Sequence, residues 1–360
     1  RNIVYRFRKF MNRLRYIPFI TWFSVLALAN AQSSDESLTA QRQAFRLSEN
    51  LRSTVAEATP EERSSSIENN QKTLTSGKYV VTQSWSQEKK YPRPYYVNVP
   101  KSRTLESTDK HNRFPVFIFL HGNGGNARSA MQGFMRRHEK MVNRYILVFA
   151  QGYQKSWNIV SERSKADDRG FIETIVQTLA TFKNVAPDDF SIMGNSNGAA
   201  LVNQMAIETT LPHIRNYITG VSQLNAWQHD GEHFKAKGDQ NQYHAVAAPM
   251  KGKRLMNISG TEDKLVPYHG GPSKFIPAND GKLEFVATEE SIYLWAREMG
   301  YTGEKKTHPS SKVGRLEIFS YLNGDVVHYK VNQEGHGATR KVTEDQLMKF
   351  LKTEKTVVPQ

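Results

Sequence analysis

Gly194-Asn195-Ser196-Asn197-Gly198 follows the apolar run Phe190-Ser191-Ile192-Met193 without a break and leads straight into Ala199-Ala200-Leu201-Val202. A strand, a sharp turn with serine at its apex and then a helix form a nucleophile elbow. The spacing has a steric reason. A turn this tight puts its apex in strained backbone angles. Residues two before and two after must be small, or they would collide with each other and with neighbouring strands. The strain holds the serine Oγ out at the carboxyl end of a sheet. It also aims the next backbone N–H, that of Asn197, at the same point.

Such a turn needs a sheet to stand on, and the flanking sequence supplies one. Lys78–Trp85 and Tyr95–Val99 have strand character, and Val116–Leu120 is a continuous apolar run introduced by Pro115 and ended by His121-Gly122. Met131–Val142 and Gly170–Phe182 show helical spacing, with the apolar strand Tyr145–Ala150 between them. After the elbow, whose helix runs over Ala199–Ile207, come the strands Ile218–Val221 and Leu255–Ser259 and the helix Glu289–Met299. A hairpin of Leu316–Leu322 and Asp325–Val331 and a closing helix Glu344–Leu351 end the series. Strands alternating with helices of this length imply an α/β class: a mostly parallel sheet with helices on both faces.

The N-terminal segment reads differently. Arg13 and Arg15 precede the apolar run Tyr16–Ala29, and Ala29-Asn30-Ala31 is a small-x-small site before Gln32. These are the parts of a secretory signal peptide, here residues 1–31. The run contains Pro18 and is shorter than the roughly 20 residues that span a bilayer. A secreted or periplasmic bacterial product is expected, with no stable membrane insertion after cleavage. Residues 32–75 are polar and read as a linker, and 76–360 as the catalytic domain. Cysteine is absent, which excludes disulfides, thiolate nucleophiles and cysteine-ligated metals. Lys and Arg number 49 against 35 acids, but six of the basic residues lie in residues 1–31. No dense basic block interleaved with aromatics points to nucleic acid. A monomer is expected.

A serine nucleophile needs a base and an orienting acid. With an elbow they follow in the order serine, acid, histidine, each on a loop after a strand. The acid candidate is Asp263, in Ile258-Ser259-Gly260-Thr261-Glu262-Asp263, with Glu262 and Asp280 as competitors. Four histidines follow it: His269, His308, His328 and His336. His328 lies within a strand, where it packs or faces solvent. His336 is flanked by Gly335 and Gly337 just after a strand, which leaves room for its ring to reach the serine. Two backbone donors are needed for an oxyanion: Asn197, and Asn123 from the loop His121-Gly122-Asn123-Gly124-Gly125-Asn126.

That loop also fits another pattern. Gly122 to Ala127 matches G-x-G-x-x-A after a strand and before a helix, the setting for a dinucleotide. The next strand, however, ends in Gln151-Gly152 rather than in an acid for a ribose, and the reading leaves Ser196, Asp263 and His336 unused. No cofactor is expected. Nor is a metal: His229 and His233 are separated by Asp230-Gly231, which breaks a helix.

Taken as an ordered set, these residues resemble a known family. The set is Leu120-His121-Gly122-Asn123-Gly124-Gly125, Gln151-Gly152 with Trp157-Asn158, Asp167-Asp168-Arg169-Gly170-Phe171-Ile172, Gly194–Ala199, Gly260–Asp263 with Val266–Gly271, and Gly335-His336. It is similar to that of the secreted polyhydroxybutyrate depolymerase-like esterases, related to the feruloyl and acetylxylan esterases of carbohydrate esterase family 1. The resemblance covers about residues 78–350. It implies an α/β-hydrolase fold, a triad of Ser196, Asp263 and His336, and hydrolysis of carboxylic esters. The esters would be feruloyl or acetyl groups on polysaccharide, or a hydroxyalkanoate-type polyester. Trp157 either packs against a substrate ring or fills the core, and Asn195 is placed with it as a substrate contact. Two departures stand out: Ala338-Thr339-Arg340 replaces the family's Trp-Pro after the histidine, and the family's frequent disulfides are absent. A binding protein on the same scaffold, or a peptidase, are the alternatives.

Overall fold

The computed structural model describes residues 72–104, 107–279 and 281–352. The expected signal peptide, residues 32–71 of the expected linker, and Asp280 lie outside them. The sequence assigns residues 72–75 to the linker, but Leu74 is buried. Its N–H donates to Asn184 Oδ1 and its carbonyl accepts from Asn184 Nδ2, so these residues pack with the domain.

In chain order the elements are β1 (Gly77–Trp85), β2 (Glu88–Asn98), β3 (Phe114–Leu120), α1 (Ala127–Arg137), α2 (Glu139–Arg144), β4 (Ile146–Ala150) and α3 (Asp168–Leu179). Then come β5 (Val185–Asn195), α4 (Asn197–Glu208), β6 (Ile214–Gly220), β7 (Arg254–Gly260), β8 (Gly271–Ala278) and β9 (Gly281–Phe285). The last are α5 (Thr288–Glu298), β10 (Ser311–Val313), β11 (Leu316–Tyr321), β12 (Val326–Val331) and α6 (Glu344–Lys352). One sheet runs β1-β2-β4-β3-β5-β6-β7-β12-β11-β10. Its six central strands, β4 to β12, are parallel, and its flanks are antiparallel.

The central strands are apolar along their length because both faces are covered. Val116, Ile118 and Leu120 pack with α3, α4 and α5. Phe117, one step out of phase, packs with α1, α2 and α6 on the other face. Pro92 and Pro94 fall in the half of β2 that pairs only with β1, where a missing N–H is tolerated.

Two further expectations needed correction. The helix expected over Met131–Val142 starts earlier, at Ala127, because Asn126 Oδ1 caps the Ser129 N–H, and it breaks at His138. The second concerns residues 271–285, for which no strand was expected. They form β8 and β9, a separate two-stranded antiparallel sheet. Pro272 and Pro277 mask the strand signal there.

Candidate active site

Ser196 joins β5 to α4 with φ 55° and ψ −121°, a conformation an L-residue keeps only when its surroundings impose it. Its N–H donates to the Gly220 carbonyl at 2.8 Å. A Cβ on Gly194 would overlap the Gly198 carbonyl, and one on Gly198 would overlap the Leu120 carbonyl. Both positions therefore require glycine.

Two loops bring their side chains to this apex. Asp263 sits in the turn after β7, and its Oδ1 accepts from the N–H groups of Leu265 at 2.9 Å and Val266 at 3.0 Å. Its Oδ2 lies 2.7 Å from His336 Nδ1. His336 follows β12, and its Nε2 lies 2.8 Å from Ser196 Oγ. An ionised carboxylate only accepts, so Nδ1 carries the proton and Nε2 faces the hydroxyl as an acceptor. The Asp263 side chain is 2% exposed and that of His336 24%, so the acid is shielded while the ring borders the cavity. Glu262 is exposed and makes no such contact. His328 is fully buried in β12, and His269 and His308 are exposed.

The loop after β3 is held by a residue that sequence reasoning passed over. Buried His121 Nε2 accepts from the Gly152 N–H and the Gln151 side-chain amide, both at 3.1 Å. Its Nδ1–H therefore donates to the Gly122 carbonyl at 2.8 Å. Burial holds its pKa below the ordinary value, which keeps this neutral tautomer. Gly122 O also accepts from Gly125 N–H at 3.0 Å. Asn123 sits in this turn and borders the cavity beside Ser196. Asn197 heads α4, so its N–H has no acceptor within the helix. Its side chain is fully engaged: Oδ1 accepts from Trp157 N–H at 2.7 Å, and Nδ2 donates to Glu162 Oε1 at 3.0 Å. Glu162 Oε2 accepts from the N–H groups of Ile159 and Val160. Burial raises its carboxyl pKa against those bonds.

The two expected substrate contacts fare differently. Trp157 is corrected: its ring is completely buried, its Nε1–H donates to the His121 carbonyl at 2.7 Å, and it packs on the His121 imidazole. It supports the loop and cannot reach a ligand. Asn195 does border the cavity, with its Oδ1 accepting from Thr339 Oγ1 at 3.0 Å.

Ser196 and His336 open into a cavity of about 900 Å³. One wall is apolar: Leu265, Val266, Phe275, Ile276, Leu283 and Phe285, drawn mostly from β8 and β9. The other is polar: Gln154, Lys155, Ser161, Glu162 and Arg163. Each wall has a buried anchor. Behind the polar wall, Asp168 Oδ1 pairs with Arg93 at 2.5 Å, and its Oδ2 accepts from Asn158 N–H at 2.6 Å. The Arg93 guanidinium also lies over the Phe171 ring. At the root of the apolar wall, the Tyr268 hydroxyl donates to Glu289 at 2.9 Å and accepts from His328 Nε2–H at 2.8 Å. Burial pushes the His328 pKa down to about 4. Among the described residues no cluster of His, Asp or Glu could hold a metal ion.

A parallel sheet with helices on both faces, and a serine on a strained strand-to-helix turn at its carboxyl edge, define an α/β-hydrolase fold. Comparison with solved structures agrees. Acetyl xylan esterase from Aspergillus awamori matches with a TM-score of 0.51 at 13% identity, covering 76% of this chain and 98% of that one. In sequence the chain is similar to feruloyl esterase B of Piromyces equi, 22% identical over 216 residues. That match takes in 59% of this chain and only 37% of the relative's length. No protein-family model matches the chain.

Proposed function

We propose that the protein is a serine carboxylic ester hydrolase, acting on feruloyl or acetyl esters of polysaccharide or on a hydroxyalkanoate-type polyester. The observation that carries this reading is the hydrogen-bonded series Asp263–His336–Ser196 at the floor of an open cavity. The reaction is two-step acyl transfer. His336 Nε2 takes the Ser196 proton as Oγ attacks the ester carbonyl. The N–H groups of Asn123 and Asn197 hold the oxyanion, and Asp263 orients the imidazole and stabilises its charged form. His336 then protonates the leaving alcohol and activates the water that releases the acid. The apolar wall suits an aromatic or alkyl acyl group, and the similarity to a feruloyl esterase supports the phenolic choice. We further propose that residues 1–31 direct export.

The test is release of ferulate from methyl ferulate, and of nitrophenol from its acetate and butyrate, by the wild type and by Ser196→Ala. Serine-dependent turnover is the expected result. Equal rates in the two proteins on every ester would sink the reading.

A further inference from the structure

We propose that Lys155 and Arg163 form an anion subsite that takes a carboxylate carried by the ester substrate. The proposal rests on the ester-hydrolase reading and names the substrate class for the same cavity.

The two walls differ in kind. Besides Phe275 and Ile276, two cationic side chains border the cavity, Lys155 and Arg163, and both are exposed. Neither makes an ion pair with a described residue. The acid on that wall, Glu162, is committed elsewhere: one oxygen to Asn197 and the other to two backbone N–H groups.

Both cations rise from pinned backbone. Lys155 has φ 60° and follows Gln154 with φ 51°. Two successive non-glycine residues in the left-handed region are unfavourable and persist where the surroundings impose them. Here the Lys155 carbonyl accepts from Gly124 N–H at 2.8 Å, and the Lys155 N–H donates to Gly152 O at 3.1 Å. These bonds join Lys155 to the loop that carries Asn123. The Arg163 carbonyl accepts from Gln87 Nε2 at 2.8 Å, and Gln87 Oε1 accepts from Lys165 N–H at 2.7 Å. The tip of the β1–β2 hairpin thus fixes where Arg163 leaves the chain.

An ester that is apolar at one end and anionic at the other fits this division. The guanidinium offers a planar fork to a carboxylate and the ammonium a point charge. Two sources supply that chemistry: the free acid end of a hydroxyalkanoate oligomer, and a uronate on a sugar bearing a feruloyl ester.

The experiment compares matched substrates. One arm sets the linear 3-hydroxybutyrate dimer against its methyl ester. The other sets a feruloylated oligosaccharide with a glucuronate branch against the same oligosaccharide without it. The expected result is a kcat/KM favouring the acid by roughly tenfold at low salt in at least one arm, shrinking as salt screens it. In Lys155→Gln/Arg163→Gln the ratio falls to about one, and in Lys155→Glu/Arg163→Glu it inverts. Lys155→Arg retains the preference. No preference in either arm, or a preference untouched in the double variants, overturns the subsite.

Binding by Ser196→Ala, followed by calorimetry with the acids and their neutral partners, separates the two proposals. Preferential binding of the acid without turnover by the wild type would retain the subsite and sink the hydrolase. Serine-dependent turnover with no preference for the acid would do the reverse.

Discussion

The two walls of the cavity are built from opposite materials and held by opposite kinds of anchor. The polar wall, residues 154–163, is irregular chain tied down through an ion pair, Arg93–Asp168, with both side chains 1% exposed. The apolar wall is a hairpin whose root rests on a neutral pair, Tyr268 and His328. The lesson concerns charge in a dry interior. A buried ion pair holds only while both partners are present. A buried imidazole holds only while it stays uncharged.

Removing the serine hydroxyl that both walls border has the largest expected effect. Ser196→Ala lowers kcat by about 10⁴-fold or more, measured on nitrophenyl butyrate, and leaves the melting temperature near that of the wild type. A loss of only a fewfold would place the nucleophile elsewhere.

The polar anchor comes next. Asp168→Asn leaves the Arg93 charge buried without its partner and costs about 3–5 kcal/mol of stability, read from urea denaturation. A cost under about 1 kcal/mol would mean that Arg93 finds solvent.

Acid tests the other anchor. The His328 pKa is about 4 in the folded protein against an ordinary 6.5. The unfolded chain therefore binds the proton first as pH falls. The contribution is fully present above about 6.5 and is lost as pH drops through about 4, roughly 3 kcal/mol in all. His328→Phe lacks this component, so its stability falls less steeply between pH 7 and 4. Parallel slopes for the two proteins would show that His328 titrates normally.

The smallest effect is at the rim. Phe275 is 59% exposed, so Phe275→Ala costs little stability. It raises KM for a butyrate or ferulate ester by about threefold to tenfold with kcat nearly unchanged. An equal change for the acetate ester would show that this wall does not contact the acyl chain.

The turn at Ser196 and the loop after β3 were the more legible parts of the cavity in the sequence. Glycines at 194 and 198, the apolar run into the turn and the glycine-rich loop after β3 all reflect constraints that act within a few residues. The order of Ser196, Asp263 and His336 along the chain reflects sheet topology, and the structure sets the three at hydrogen-bond distance. Trp157 was not decided by its neighbours in sequence. Whether an indole fills a core or meets a ligand depends on what packs over it, and here His121 does. The same holds for Glu162, 35 residues from the side chain it binds. The apolar wall was hidden because prolines at 272 and 277 break the strand signal, while pairing with β9 restores the strand.

The sequence by itself therefore determined the α/β-hydrolase class, through apolar runs long enough for a sheet covered on both faces and a turn that only small residues permit. The tertiary structure alone decided the shape and polarity of the cavity, the partner of each buried charge and the protonation state of each buried histidine. Those depend on side chains that meet from distant parts of the chain, and on how far water is excluded where they meet.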